Sequence, residues 1–351
     1  MLEGIRVIDF SQYLPGPFAT LRLVDWGADV IKIEPPQGDP ARTMAEGALF
    51  AANNRGKKSV AVDLKSDEGI QSALDLIQNA DVIVESFRPG VMDRLGLGYE
   101  EASSLKPDLV YLSLTGFGQN SLYSHQGSHD LNYMAMSGML NQLKDKEGRP
   151  VMPTQTVADL IGGMAASEAI IAALFKRERT GKGTYIDLAM TDAVFSMMTN
   201  HAMLSKIAGI DSGIPVLDGS YANYRIYETK DRRYMSMGAL EYKFWKNFCQ
   251  AIGRDDWLAE FPERLKQPET IQEVEKVFLT KTFDEWIQVG RQHDCCLFPI
   301  LEISEVLEGE YVKERGLVHE KEGRPFVQTH DQTVSKDDHI ADLNEHRNFF
   351  S

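Results

Sequence analysis

Arg6-Val7-Ile8-Asp9-Phe10 and Asp29-Val30-Ile31-Lys32-Ile33 are two short apolar runs rich in β-branched residues, and the reading of what joins them decides the fold. Leu14-Pro15-Gly16-Pro17 breaks the first run. Residues 18–26 then carry Ala19, Leu23 and Trp26 at helical spacing, and Gly27 is placed to stop that helix. Strand, helix and strand within about thirty residues make a βαβ unit.

The same alternation continues outward. Residues 59–63 read as a third strand. Ser66 caps the next helix, whose first turn is acidic (Asp67, Glu68) and whose buried face is Ile70, Ala73, Leu74 and Ile77. Residues 81–85 and 109–114 are further strands. Residues 160–175 are apolar almost all round and read as a buried helix, stopped after Lys176-Arg177-Glu178-Arg179 by Gly181. Residues 185–188 read as a strand and 192–207 as a helix. The fold class is therefore α/β, with a parallel sheet covered on both faces and ligands expected beyond the carboxyl ends of its strands.

The texture changes near Ile210, where Gly213, Pro215 and Gly219 mark a linker. Beyond it, residues 224–228 and 234–237 form a predicted hairpin across Thr229-Lys230-Asp231-Arg232. Helices continue to about Glu308, with Trp245, Phe248, Trp257, Phe278 and Trp286 as core candidates, and the tail after Gly323 is polar and acidic.

Of the 351 residues, 43% are hydrophobic and 25% charged, which suits a globular chain with a full core, and the length suits two domains or one large domain with an elaboration. A net charge of −15 argues against nucleic acid and anionic membranes as partners, so an anionic ligand needs a local basic pocket. Cys249, Cys295 and Cys296 show neither zinc spacing nor a disulfide pattern. A cytoplasmic, reducing setting is expected. The first residues enter a strand directly, the last ones carry no address or lipidation motif, and no apolar run reads as long enough to span a membrane.

Several constellations carry chemistry. Gly16 and Pro17 stand where a strand hands over to a helix: a phosphate site at a helix start, or a plain turn. Asn54-Arg55-Gly56-Lys57-Lys58 is a phosphate clamp or a solvated loop. Arg88, at the carboxyl end of a strand, and Arg94 are placed to grip phosphate. No G-x-G-x-x-G, P-loop, nucleophile elbow or metal motif is present. His129 lies in Gly127-Ser128-His129-Asp130-Leu131-Asn132-Tyr133 and Asp159 in Thr156-Val157-Ala158-Asp159, before Gly162 and Gly163. Alone, the first reads as a structural histidine and the second as an N-cap. As a pair they read as two acid/base groups facing one carbon. Glu241 is a helix-start acid, or the group that orients His129.

At these residues the chain resembles the family III CoA-transferases (the CaiB/BaiF family), and within it the alpha-methylacyl-CoA racemase subfamily. Leu14-Pro15-Gly16-Pro17-Phe18-Ala19, the stretch from Gly27 to Pro40, Asn54-Arg55-Gly56-Lys57-Lys58-Ser59, Ser86-Phe87-Arg88-Pro89-Gly90 and Thr115-Gly116-Phe117-Gly118-Gln119 carry the family resemblance. His129-Asp130, Asp159 and Glu241 carry that to the racemases. Departures are Ser128 where the family usually has glycine, Ser121-Leu122 in place of Gly-Pro, and Ser220 after Asp218-Gly219.

The resemblance implies a Rossmann-like large domain from both chain ends (1–190 and 320–351), linkers at 191–214 and 309–319, and a small α+β domain at 215–308. It implies an interlocked homodimer in which Glu241 reaches His129 across subunits. Arg55, Arg88 and Arg94, with Gly16, Pro17 and Tyr133, are implied to hold coenzyme A, which enters as part of the substrate. No metal or redox cofactor is required. The expected reaction is racemisation of 2-methylacyl-CoA thioesters by 1,1-proton transfer. The alternatives are transfer of CoA between carboxylic acids through Asp159, and CoA binding without catalysis. Met134, Met136 and Met139 line an acyl surface or pack in the core.

Overall fold

A computed structural model of the chain describes every residue except Lys146, Glu322, 329–338 and Ser351, so part of the predicted polar tail lies outside the described residues. The chain divides into two compact units. One comprises Met1–Thr199 and Glu314–Ser351, the other Asn200–Lys313.

In the first unit, β1 (Arg6–Asp9), β2 (Asp29–Glu34), β3 (Lys58–Ala61), β4 (Val82–Glu85), β5 (Val110–Thr115) and β6 (Thr184–Ala189) form one parallel sheet in the order β3-β2-β1-β4-β5-β6. Helices α1 (Pro15–Asp25), α2 (Ala48–Asn54), α3 (Asp67–Gln78), α4 (Val91–Arg94), α5 (Tyr99–Leu105), α6 (Asp130–Met136) and α7 (Val157–Thr180) intervene, and α8 (Met190–Ser196) follows β6. Successive strand residues enter two different cores. Val7, Val30, Val82, Val84, Val110 and Leu112 pack with residues of α1 and α7, while Ile8, Ile31, Ile33, Ile83 and Tyr111 pack with residues of α3 and α5. Burial on both faces is why these strands are apolar runs rather than alternating ones. The strand order reverses between β1 and β4, which opens a crevice at their carboxyl ends.

Local signals set the helix ends. Ser66 Oγ accepts the Gly69 N–H at 3.0 Å and starts α3. Gly181, in the left-handed region at φ 66°, ends α7. Three expectations are corrected. The helix expected from Phe18 begins at Pro15, so Pro15-Gly16-Pro17, which follows the end of β1, is also the first turn of α1, where missing proline N–H groups cost nothing. The helix expected at 160–175 runs 24 residues from Val157, so Asp159 lies inside its first turn and Thr156 is the N-cap. By length and composition that helix is long enough to cross a membrane. Here Gly162, Gly163, Ala166, Ile170 and Ala173 are buried within the unit. The helix expected at 192–207 is two, α8 and α9 (Thr199–Ala208), with a turn between that buries Met198 and leaves Met197 exposed.

The C-terminal segment covers the outer strand of the sheet. Asn344 Oδ1 accepts the Ala61 N–H at 3.0 Å and His346 Nδ1 the Ser59 N–H at 3.3 Å, which satisfies backbone groups on an edge that would otherwise be open.

In the second unit β7 (Tyr224–Glu228) and β8 (Tyr234–Gly238) form the expected hairpin, and β9 (Leu297–Pro299) adds a third antiparallel strand. Helices α10 (Tyr242–Ala251), α11 (Pro268–Phe278) and α12 (Phe283–Gln292) enclose a core in which Trp245, Phe248, Trp257, Phe278 and Trp286 are all fully buried. Tyr227 stacks on Phe278 with ring centroids 4.4 Å apart.

Candidate active site

The site is built at the carboxyl ends of β4 and β5. β5 ends at Thr115, whose hydroxyl accepts the Gly118 N–H at 3.0 Å, and the Asp187 carboxylate on β6 accepts the Gln119 N–H at 3.0 Å. The turn so fixed presents Gly116 to the ring of Tyr133. A Cβ at residue 116 would stand 2.4 Å from Tyr133 Cε1, so only glycine admits the ring. Phe117 meets the same ring edge-to-face, centroids 5.5 Å apart. Tyr133 is buried and its hydroxyl donates to Ser128 O at 3.1 Å. That bond ties down the residue before His129. The His129 N–H donates to Asn132 Oδ1 at 3.0 Å, and His129 caps α6 with its side chain exposed. The structure thus gives Tyr133 a visible task, locking the histidine turn.

Asp130, the next residue, links this turn to α7. Its Oδ1 accepts the Asp159 N–H at 2.9 Å. The start of the long helix is therefore capped by a carboxylate from another segment, and Asp159 is left to point its own acid elsewhere. Burial pushes the Asp159 carboxyl up, the charge of Asp130 adds to it, and the value reaches about 6. A carboxyl that titrates there exchanges protons readily near neutral pH. The Asp159 N–H, engaged by Asp130, is not free to hold an oxyanion. The N–H groups of Asp130 and Leu131 have no acceptor among the described hydrogen bonds.

The glycines after Asp159 serve packing. A Cβ at Gly163 would lie 2.7 Å from the carbonyl oxygen of Pro15, so what approaches the helix there is the start of α1. A Cβ at Gly16 would in turn strike the Ser11 side chain.

Of the three arginines, Arg88 and Arg94 lie at the rim. Arg88 Nη2 comes within 3.5 Å of where a Cβ of Gly127 would be, two residues from His129. Arg55 is not at the rim. It is 1% exposed and its Nη2 donates to Asp25 Oδ1 at 2.5 Å, at the end of α1. The same sequence run holds a second inward cation. Lys57 Nζ donates to Asp9 Oδ2 at 3.1 Å, Thr20 Oγ1 at 2.7 Å and Pro17 O at 2.8 Å. Burial alone would raise the Asp9 carboxyl, but Lys57 and Lys32 overcome it and hold it down at about 2. Lys32 donates to Ser11 O at 2.8 Å. These two lysines fix the β1–α1 loop from beneath. Across the crevice the Gln12 N–H donates to Ser86 Oγ at 3.3 Å.

Met134 is fully buried core, Met139 is half-buried, and Met136 is 52% exposed. Glu241 opens α10 as an exposed N-cap in the second unit. Sequence reasoning assigns no role to Asp130, although it follows His129 directly, and it reads Lys57 only as part of a phosphate clamp or a solvated loop, not as the inward partner of Asp9. It also passes over Glu85. The usable signal there is an acid closing the strand Val82-Ile83-Val84, which is apolar on both faces and so buries its last residue as well.

The rim of a doubly wound sheet thus carries a raised carboxyl and a histidine, groups suited to acid/base or carboxylate-nucleophile chemistry. The chain belongs to CoA-transferase family III, whose profile matches residues 2–337; the family has racemase and CoA-transferase members. It is 33% identical over 322 residues to the alpha-methylacyl-CoA racemase of Mus musculus, covering 90% of this chain and 81% of that protein. It is 34% identical over 322 residues to the acetyl-CoA:oxalate CoA-transferase of Acetobacter aceti, covering 86% and 81%. The crystal structure of a CAIB/BAIF family protein from Brucella suis matches with a TM-score of 0.89 at 27% identity, over 99% of this chain and 98% of that one.

Proposed function

We propose that the protein racemises 2-methylacyl-CoA thioesters by moving the α-proton from one face of the carbon to the other. The thioester carbonyl makes that proton removable. One of His129 and Asp159 takes it, an enolate forms, and the other returns a proton to the opposite face. The observation that carries this reading is the joining of the two residues through Asp130, which sets histidine and raised carboxyl at the linked starts of α6 and α7. The unengaged N–H groups of Asp130 and Leu131 serve the enolate oxygen. Coenzyme A lies along the β1/β4 crevice, its phosphates met by Arg88 and Arg94, with Gly16 and Pro17 at its floor. No step needs a metal or a redox group.

The enzyme works as a homodimer in which the partner's Glu241 orients His129. Both residues are exposed in a single chain. Met164, Ile171 and Phe175 on α7 and Phe195 on α8 are exposed apolar side chains of the kind a second copy covers.

CoA transfer, with Asp159 as nucleophile, is the second reading, favoured by the Acetobacter aceti relative. It asks nothing of His129. The test is to incubate one epimer of a 2-methylacyl-CoA with the purified chain and no free acid. Loss of optical purity that disappears in His129→Ala supports racemisation. Retained optical purity, with a CoA-derived mass increment on Asp159 once an acyl donor is supplied, supports transfer.

A further inference from the structure

Glu85 is the last residue of β4, at the centre of the sheet. It is 3% exposed, and among the described ion pairs it has no cation. A buried carboxyl without a counter-ion is costly, so a fold that keeps one is using it. Its Oε2 accepts the Phe87 N–H at 2.8 Å, and the Ser113 hydroxyl on the adjacent β5 donates to the same carboxyl. Tyr185 on β6 donates to Ser113 Oγ at 3.3 Å. A chain of hydrogen bonds thus runs from the edge of the sheet through Ser113 and Glu85 to the backbone of the 86–88 turn.

That turn is held at two further points. Ser86 Oγ accepts from Gln12 across the crevice, and Arg88 O accepts the Val91 N–H at 3.1 Å as α4 begins. The side chain it carries outward is Arg88, beside Gly127 in the histidine turn. We propose that Glu85 is a positioning residue for coenzyme A: its carboxyl fixes the Phe87 N–H, and through it the direction in which Arg88 meets the ligand. The inference rests on the coenzyme A reading above. Burial pushes the Glu85 carboxyl up to about 7, against the lowering effect of its two donors, with Asp93 and Asp187 adding to the rise. A neutral carboxyl still accepts the Phe87 N–H, and so does the amide oxygen of Gln, so Gln at this position preserves the device.

The test is binding of free coenzyme A to the full chain by calorimetry, with kcat and KM for the acyl-CoA alongside. Glu85→Ala weakens coenzyme A binding about tenfold or more, the loss expected when a hydrogen bond that orients a charged group is removed. Glu85→Gln stays within about threefold of wild type, and kcat at saturation moves by less than about threefold in both, as expected for a loss of uniform binding. Glu85→Ala combined with Arg88→Ala binds no more weakly than Arg88→Ala alone, because the first acts through the second. Glu85→Met, which fills the space but accepts no N–H, replaces Glu85→Ala if that variant does not fold, and shows the same pattern. Multiplying losses in the double variant, a Gln variant as weak as Ala, or a fall in kcat with KM unchanged would each overturn the assignment. If wild type takes up no coenzyme A, the functional reading fails and this inference falls with it. If Arg88→Ala weakens binding while the Glu85 variants do not, only this inference fails.

Discussion

The Asp130 carboxylate accepts the backbone N–H of Asp159 at 2.9 Å, and its charge helps raise the acid of the residue it caps. One side chain therefore does two things, and a single substitution separates them. Asn at 130 keeps an oxygen for the N–H and removes the charge. Asp130→Asn is expected to lower the Asp159 pKa from about 6 toward the ordinary carboxylate value without reaching it, since burial is the larger cause. The acid limb of kcat/KM moves down by the same amount. A carbon-13 titration of Asp159 and a pH–rate profile read the two shifts.

Asp159 also marks stability. Its folded-state pKa is raised, so the folded chain binds the proton more tightly than the unfolded chain between the ordinary value near 3.9 and about 6. Stability therefore falls with rising pH across that window, and the cost is full above it. Asp159→Asn is expected to stabilise the chain at pH 7.5 by about 1–2 kcal/mol, and to change little at pH 3.5, where both states are mostly protonated. Thermal melts at the two pH values check this.

Arg55 and Arg88 have different tasks. Arg55→Ala removes the guanidinium paired with the buried Asp25 and is expected to cost about 3–5 kcal/mol of stability. Arg88→Ala sits at the rim and is expected to leave the melting temperature within about 1 °C, in line with an exposed substitution, while raising KM for the acyl-CoA. Chemical denaturation and steady-state kinetics on both variants distinguish the two.

The approach of α7 to α1 leaves no room at Gly163. Gly163→Ala puts a methyl group 2.7 Å from a backbone oxygen that has no flexible side chain to withdraw. The expected loss is about 1–3 kcal/mol. Tyr133→Phe removes the hydroxyl that ties Ser128 and is expected to cost about 1 kcal/mol, with a several-fold fall in kcat as the histidine turn loosens. Denaturant midpoints and kcat measure both.

The parallel sheet is legible in the sequence because a strand buried on two faces is apolar through its middle, as Val7-Ile8, Val82-Ile83-Val84 and Val110-Tyr111-Leu112 are. His129 and Asp159 are legible as residue types within their motifs. Their connection is not, because Asp130 reaches a backbone N–H 29 residues away and nothing in local spacing announces a carboxylate that caps another segment's helix. The basic run at 54–58 misleads for a related reason. A run of charge usually faces water, but Arg55 and Lys57 turn inward to Asp25 and Asp9, partners 30 and 48 residues distant. The helix at 157–180 extends past its apolar core because Asp159 and the basic last turn suit the two ends of its dipole.

The most direct measurement tracks the α-hydrogen itself. The purified chain is placed in heavy water with one epimer of a 2-methylacyl-CoA and no free acid, and the recovered thioester is read by mass spectrometry and chiral separation. Racemisation predicts one deuterium at the α-carbon together with loss of optical purity, both abolished in His129→Ala and in Asp159→Ala. A thioester recovered with its hydrogen and its configuration intact, by a chain that moves CoA to an added carboxylic acid, would contradict it.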